Sequence, residues 1–310
     1  MKGLSAWSRS GCLGRFWVRL LPSILLLAAV AAPPAPALAE DGSLVPGGFV
    51  VFAAGDRAKR NIMVVDPAGG MPKVLADTPG VMDTQPAVGP SGQLAWIRQN
   101  GTDWDLIENG RVLGSGAMYL SPAYMPDGTL TAAISGEEET SIYAIYSSGE
   151  KKLLASGGAS GLAVSPAFSP DGRRMAYVSN QSNFAQIYIT DLGGGGGSRA
   201  LTSGPARSTD PDWSPKGEQI VFVLAEKDIC LVNADGRNLK KLTSNQGLNR
   251  DPAFSPDGGQ IVFTSDRDGY WRLYVMDLDG GGQRPLLPAL AVNQTLPFWS
   301  AVPPKKILDR

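Results

Sequence analysis

The sequence predicts an all-β chain: a six-bladed β-propeller of four-stranded antiparallel blades, closed by pairing of the C-terminal strand with the N-terminal blade. Three observations carry this expectation. A proline-led pattern recurs at near-constant spacing. Each copy is followed by the same series of short β-rich runs. The two chain ends are incomplete in complementary ways. Composition agrees, since 38 Gly and 24 Pro among 310 residues imply many turns, and 43% hydrophobic residues suffice for a core.

The pattern reads Pro86-Ala-Val-Gly-Pro-Ser-Gly92, Pro122-Ala-Tyr-Met-Pro-Asp-Gly128, Pro166-Ala-Phe-Ser-Pro-Asp-Gly172, Pro211-Asp-Trp-Ser-Pro-Lys-Gly217 and Pro252-Ala-Phe-Ser-Pro-Asp-Gly258. A degraded sixth copy is Pro297-Phe-Trp-Ser-Ala-Val-Pro303. The leading prolines lie 36, 44, 45, 41 and 45 residues apart. Proline presets φ for a type I turn, and Gly supplies the positive φ that lets a hairpin follow.

A second strand is expected after each glycine, at 93–97, 130–134, 174–178, 219–223 and 260–264. A third follows at 104–107, 142–146, 186–190, 229–232 and 272–276. A fourth closes several units, at 152–154, 199–202 and 240–243. Residues 49–52, 61–65 and 73–75 supply second, third and fourth runs with no first strand before them. The copy at 295–300 is a first strand with nothing after it, so joining the two completes a sixth blade. A β-sandwich could also use such alternating runs, but it does not explain the fixed period or the split unit. The recurring Tyr124, Phe168, Trp213, Phe254, Phe298 and Trp299 are expected in the core between blades. The glycine run 193–197 is expected to be a hairpin loop.

Residues 1–39 carry Lys2, Arg9, Arg15 and Arg19, no acid, an apolar run from Leu20 to Ala32, and Ala37-Leu-Ala39 before Glu40. That is the form of a cleaved signal peptide, and the apolar run falls short of the roughly 20 residues a spanning helix needs. The expected domains are therefore a signal peptide (1–39), a short linker (40–47), the propeller (48–302) and a C-terminal tail (303–310) that hangs off the ring. The expected location is the periplasm or the exterior, without stable membrane insertion. Cleavage leaves 24 bases against 29 acids, a formal charge of −5. It also leaves Cys230 as the one cysteine, read as a buried hydrophobe. The absence of His excludes serine–histidine and cysteine–histidine catalysis and imidazole metal ligation. No basic field points to nucleic acid.

The residues of 252–280, Pro-Ala-Phe-Ser-Pro-Asp-Gly, then Ile-Val-Phe-Thr-Ser-Asp-Arg and Leu-Tyr-Val-Met-Asp-Leu-Asp-Gly, resemble the WD40-like repeat of the TolB family of the Tol–Pal cell-envelope system. The resemblance covers about residues 48–300 and is strongest over 164–280. It implies a six-bladed propeller in the periplasm that binds protein partners, notably a peptidoglycan-associated lipoprotein, at the channel mouth. It covers the propeller only. The family's separate α/β domain has no counterpart in the roughly ten residues between the expected cleavage site and the first strand.

In a propeller the innermost strands converge on the axis, so residues just before each leading proline should ring one mouth. They are Asp83-Thr-Gln85, Tyr119-Leu-Ser121, Ala163-Val-Ser165, Ser208-Thr-Asp210, Asn249-Arg-Asp251 and Gln294-Thr-Leu296. The candidate partner-binding residues are Asp83, Arg207, Thr209, Asp210, Arg250, Asp251 and Thr295. Asp before Pro also serves a purely structural turn role. No catalytic, cofactor or metal residue is assigned, although a divalent cation such as calcium could sit in the channel. The expected function is a non-catalytic, monomeric, exported interaction scaffold. A glycan- or peptidoglycan-binding propeller and a carboxylate-dependent propeller enzyme are the alternatives.

Overall fold

In this computed structural model the structure describes residues 47–305, apart from positions 57, 69, 160 and 194–196. The expected signal peptide, nearly all of the linker, the tail beyond 305 and the middle of the glycine run lie outside the described residues. Among the described residues the chain forms 24 strands and no helix.

The first three strands are β1 (Phe49–Gly55), β2 (Arg60–Val65) and β3 (Lys73–Ala76). Next come β4 (Met82–Val88), β5 (Leu94–Asn100), β6 (Asp103–Glu108) and β7 (Arg111–Gly114). They are followed by β8 (Met118–Tyr124), β9 (Leu130–Ser135), β10 (Thr140–Ile145) and β11 (Lys151–Ala155). Three separate four-stranded antiparallel sheets follow. One is β12 (Ala163–Phe168), β13 (Arg174–Ser182), β14 (Phe184–Asp191) and β15 (Arg199–Ala200). The second is β16 (Ser208–Trp213), β17 (Gln219–Leu224), β18 (Asp228–Asn233) and β19 (Lys240–Lys241). The third is β20 (Asn249–Phe254), β21 (Gln260–Ser265), β22 (Arg272–Asp277) and β23 (Arg284–Pro285). The last strand is β24 (Gln294–Ser300).

Strands β1 to β11 and β24 share one larger sheet. Within it, antiparallel meanders are joined through single parallel contacts, Arg60 to Met82 and Trp104 to Met118. The last strand pairs antiparallel with the first, Phe49 opposite Ser300 and Val50 opposite Trp299. The C-terminal strand thus pairs with the first strand, as the sequence leads one to expect.

Apolar residues gather in six clusters, each built by two successive four-strand sets. One joins Ala253, Val262, Leu273 and Val275 to Val50, Phe52 and Trp299, and so connects the last complete set to the first strand. Trp213, Phe254 and Trp299 are buried in these clusters, while Tyr124, Phe168 and Phe298 pack against them. Cys230 is buried at 1% exposure among Phe222, Trp213 and Ile220, and burial pushes its thiol up to about 11.

The Ser-Pro-Asp-Gly turns explain their own consensus. At 169–172 the Gly N–H donates to the Ser carbonyl at 2.8 Å, and the Ser169 hydroxyl donates to Asp171 at 2.5 Å. Successive turns also touch. A Cβ on Gly172, Gly217 or Gly258 would stand 3.7, 3.4 or 3.2 Å from the proline of the preceding turn, Pro126, Pro170 or Pro215. Gly48 takes the same role for the split turn, with φ of 74° and a would-be Cβ 3.0 Å from Pro256. The described start of the tail does not hang free, because the Lys305 N–H donates to the Gly92 carbonyl at 2.6 Å.

Candidate functional site

The residue before each leading proline breaks its strand. Gln85, Ser121, Ser165, Asp210, Asp251 and Leu296 have φ between 48° and 54°. This is the left-handed region, which costs a non-glycine residue about 1 kcal/mol or more. The following proline has no N–H for the ladder. The register skips at each of these pairs, so two residues face one, as in a β-bulge. Opposite the bulges stand Phe52, Trp96, Ala132, Tyr177, Phe222 and Phe263, each 2% exposed or less. Five aromatic side chains thus fill the space behind the kink, and the bulged residues turn away from the packed layers.

Those six bulged residues and their prolines line a single cavity of about 340 Å³. Its lining carries two carboxyl groups, Asp210 and Asp251, with Gln85, Ser121, Ser165 and Leu296 completing the ring. Side chains of the ring also tie neighbouring four-strand sets together. Gln85 Oε1 accepts the Ser121 N–H at 2.5 Å, and Asp251 Oδ2 accepts the Leu296 N–H at 3.3 Å. Asp210 in turn receives the Asp251 N–H and, at 3.1 Å, the Thr209 hydroxyl.

Burial raises Asp251 to about 7, and the neighbouring Asp210 carboxylate adds to the rise. Burial likewise raises Asp210, against the pull of the Thr209 hydroxyl and the Arg250 charge. Burial disfavours the charged form of both carboxyls, and for Asp251 the charge of Asp210 works in the same direction. The cavity therefore offers acceptors and negative charge to a donor or cation carried by a ligand. Among the described residues no group of three or more Asp, Glu, Cys or His is placed to hold a metal ion.

Of the seven sequence-based candidates, Asp210 and Asp251 line the cavity. Thr209 acts through its bond to Asp210. Thr295 has a buried hydroxyl with no partner and pairs with Ala53 on β1. Arg250 is exposed, with its guanidinium 4.9 Å over the Trp271 ring. Arg207 forms an exposed ion pair with Glu226 at 3.0 Å. Asp83 is fully buried and holds the Arg98 guanidinium at 2.8 Å and the Trp96 indole N–H at 2.9 Å. Charge drew attention to Asp83 and Arg250, but it is the position immediately before proline that faces the cavity. That rule would have added Gln85, Ser121, Ser165 and Leu296.

Comparison with known proteins agrees with this architecture. The family described as the TolB beta propeller domain matches residues 99–227 and 224–302. The Tol-Pal system protein TolB of Bordetella pertussis is 31% identical over 139 residues, which is 43% of this chain and 32% of that protein. The match thus spans about a third of that relative's length. The crystal structure of TolB from Acinetobacter baumannii superposes with a TM-score of 0.72 at 21% identity, covering 83% of this chain and 68% of that one. The structure of a putative TolB from Agrobacterium tumefaciens gives 0.60 at 22% identity, covering 83% and 93%. On the family match, which takes in well over half of its residues, the chain belongs to the TolB β-propeller family.

Proposed function

We propose that the six four-strand sets are the blades of one closed ring with the cavity on its axis. We further propose that the chain is an exported, periplasmic, non-catalytic scaffold that binds a partner protein there. The observation that carries this reading is the cavity, ringed by one equivalent residue from each four-strand set. Six strained bulges converging on one space are a costly arrangement, and strain of this kind collects at functional sites. The pairing of β24 with β1 and the core cluster that spans the two ends support closure. No described helix is long and apolar enough to cross a membrane. The partner favoured by the family is a peptidoglycan-associated lipoprotein of the Tol–Pal type.

The test is calorimetric titration of the purified protein with the lipoprotein from the same cell. Asp210→Asn combined with Asp251→Asn keeps the N–H acceptors and removes the charge. Binding should weaken at least about tenfold, or about 1.4 kcal/mol, with no fall in melting temperature. Unchanged affinity would remove the cavity from the reading, and capture of cell-wall fragments in place of the lipoprotein would replace the protein partner with a glycan.

A further inference from the structure

The cavity ring holds two carboxyls and no base. Beside Asp210 and Asp251 it presents prolines and four neutral side chains, Gln85, Ser121, Ser165 and Leu296. A charge taken out of water is normally paired. Two arginines, Arg60 and Arg250, act on Asp251 through space, yet neither lines the cavity. Among the described residues neither forms an ion pair with Asp210 or Asp251. Arg250 lies over the Trp271 ring instead.

Burial works against the charged form of both carboxyls. A cation carried into the cavity would offset that cost, and the ring itself supplies none. Further acceptors stand open to it. The Ser121 and Ser165 hydroxyls line the cavity and have no hydrogen-bond partner among the described residues. At about 340 Å³ the cavity is at the small end of ligand sites, which suits one inserted side chain.

The acceptors favour an ammonium over other cations. Asp251 Oδ2 is engaged by the Leu296 N–H at 3.3 Å, and Asp210 Oδ2 by the Thr209 hydroxyl at 3.1 Å. That interferes with the two-oxygen grip a guanidinium prefers. An ammonium is a compact point charge whose three donors can reach acceptors on different four-strand sets. A calcium ion takes about six to eight oxygen ligands. Among the described residues no group of three carboxyl, thiol or imidazole side chains is placed to hold a metal.

On the reading of the cavity as the partner site, on which this inference rests, we propose that the group entering it is a primary ammonium. It is the end of a lysine side chain presented by the partner protein, held between Asp210 and Asp251 with the Ser165 hydroxyl as a further acceptor. The prolines that alternate with these residues around the wall give the apolar stem of the lysine a surface to lie on.

The probes are a capped glycine–lysine–glycine peptide and its counterparts with norleucine or arginine at the centre. They are titrated at low ionic strength into the full-length protein near pH 8, above the value of about 7 to which Asp251 is raised. The lysine peptide should bind saturably, with a Kd on the order of 1 mM for so small a ligand. The norleucine peptide, which lacks only the ammonium, should bind at least about tenfold more weakly. The arginine peptide should also bind more weakly than the lysine one. Asp210→Asn combined with Asp251→Asn should weaken the lysine peptide at least about tenfold with no fall in melting temperature. Equal binding of the lysine and norleucine peptides, tighter binding of the arginine peptide, or lysine-peptide binding that survives the double substitution overturns the proposal. So does micromolar calcium binding that the double substitution abolishes, because the occupant is then a metal ion. Lipoprotein binding that the double substitution weakens, with no lysine-peptide binding, refutes the ammonium and leaves the partner site standing. Lysine-peptide binding without lipoprotein binding keeps the ammonium and removes the lipoprotein.

Discussion

Asp83 is the sequence-based candidate whose surroundings give the sharpest test. Replacing it with alanine leaves two buried donors without an acceptor. One is the Trp96 indole N–H, on a side chain 1% exposed. The other is the Arg98 guanidinium, whose Nε and Nη2 reach Asp83 at 2.8 and 3.2 Å. Breaking a buried pair by removing one partner costs about 3–5 kcal/mol. Arg98 keeps 22% of its side chain exposed, can turn partly to water, and retains Thr78 at 2.6 Å. The lower end, about 3 kcal/mol, is therefore expected. For a domain of this size that is a fall of roughly 6–12 °C in melting temperature. Calorimetric melting of wild type, Asp83→Ala, Arg98→Ala and the double variant completes the cycle. The double variant should cost less than the sum of the singles, since each removes the same interaction. A wild-type melting temperature for Asp83→Ala, together with lost partner binding, would refute this reasoning and return Asp83 to the binding surface.

Asp212 lies two residues past its bulge and accepts the Phe254 N–H at 2.7 Å, and burial pushes its carboxyl from 3.8 up to about 6. A carboxyl raised on folding favours the fold when protonated, and that contribution is lost as pH rises through about 6. Asp212→Asn keeps the acceptor and should match wild type in urea midpoint near pH 4 but exceed it near pH 8, by up to about 3 kcal/mol; equal midpoints at both pH values would count against the burial argument. Gly48→Ala would place a Cβ 2.1 Å from the Ser300 carbonyl oxygen at φ 74°, and it should lower the melting temperature by at least about 5 °C. Gly116→Ala, at φ 72° with open space, should cost only about 1 kcal/mol, so similar losses at the two sites would contradict a special role for the seam.

Much of the fold was legible in residues that obey local rules. The proline-led repeat placed β5, β9, β13, β17 and β21 within a residue or two at their starts, because turn chemistry and strand alternation act over a few residues. The split unit was legible as well, since a lone first strand at one end and its missing partners at the other leave one pairing that satisfies both edges. Strand β7 was not read, although Asn109-Gly110 between Glu108 and Arg111 is a strong two-residue hairpin signal. Its four residues lack the alternation of a half-buried strand because the outer edge is mostly exposed.

What the chain determined locally was a set of short strands, their order and the turns between them, since φ preferences and hydrophobic alternation need only neighbours in sequence. Which of three residues before each proline would face the cavity needed the bulge. A one-residue change of register swaps the face a side chain occupies, and the bulge sets which residue is turned toward the cavity. Asp83 stands three residues before its proline and Asp251 immediately before its own, and the two part company in three dimensions. Asp83 meets a guanidinium and an indole in the core, and Asp251 lines the cavity beside a second carboxyl, Asp210. Charge alone could not separate them, because the energy of a carboxylate is set by what surrounds it, and only the folded chain brings those surroundings together.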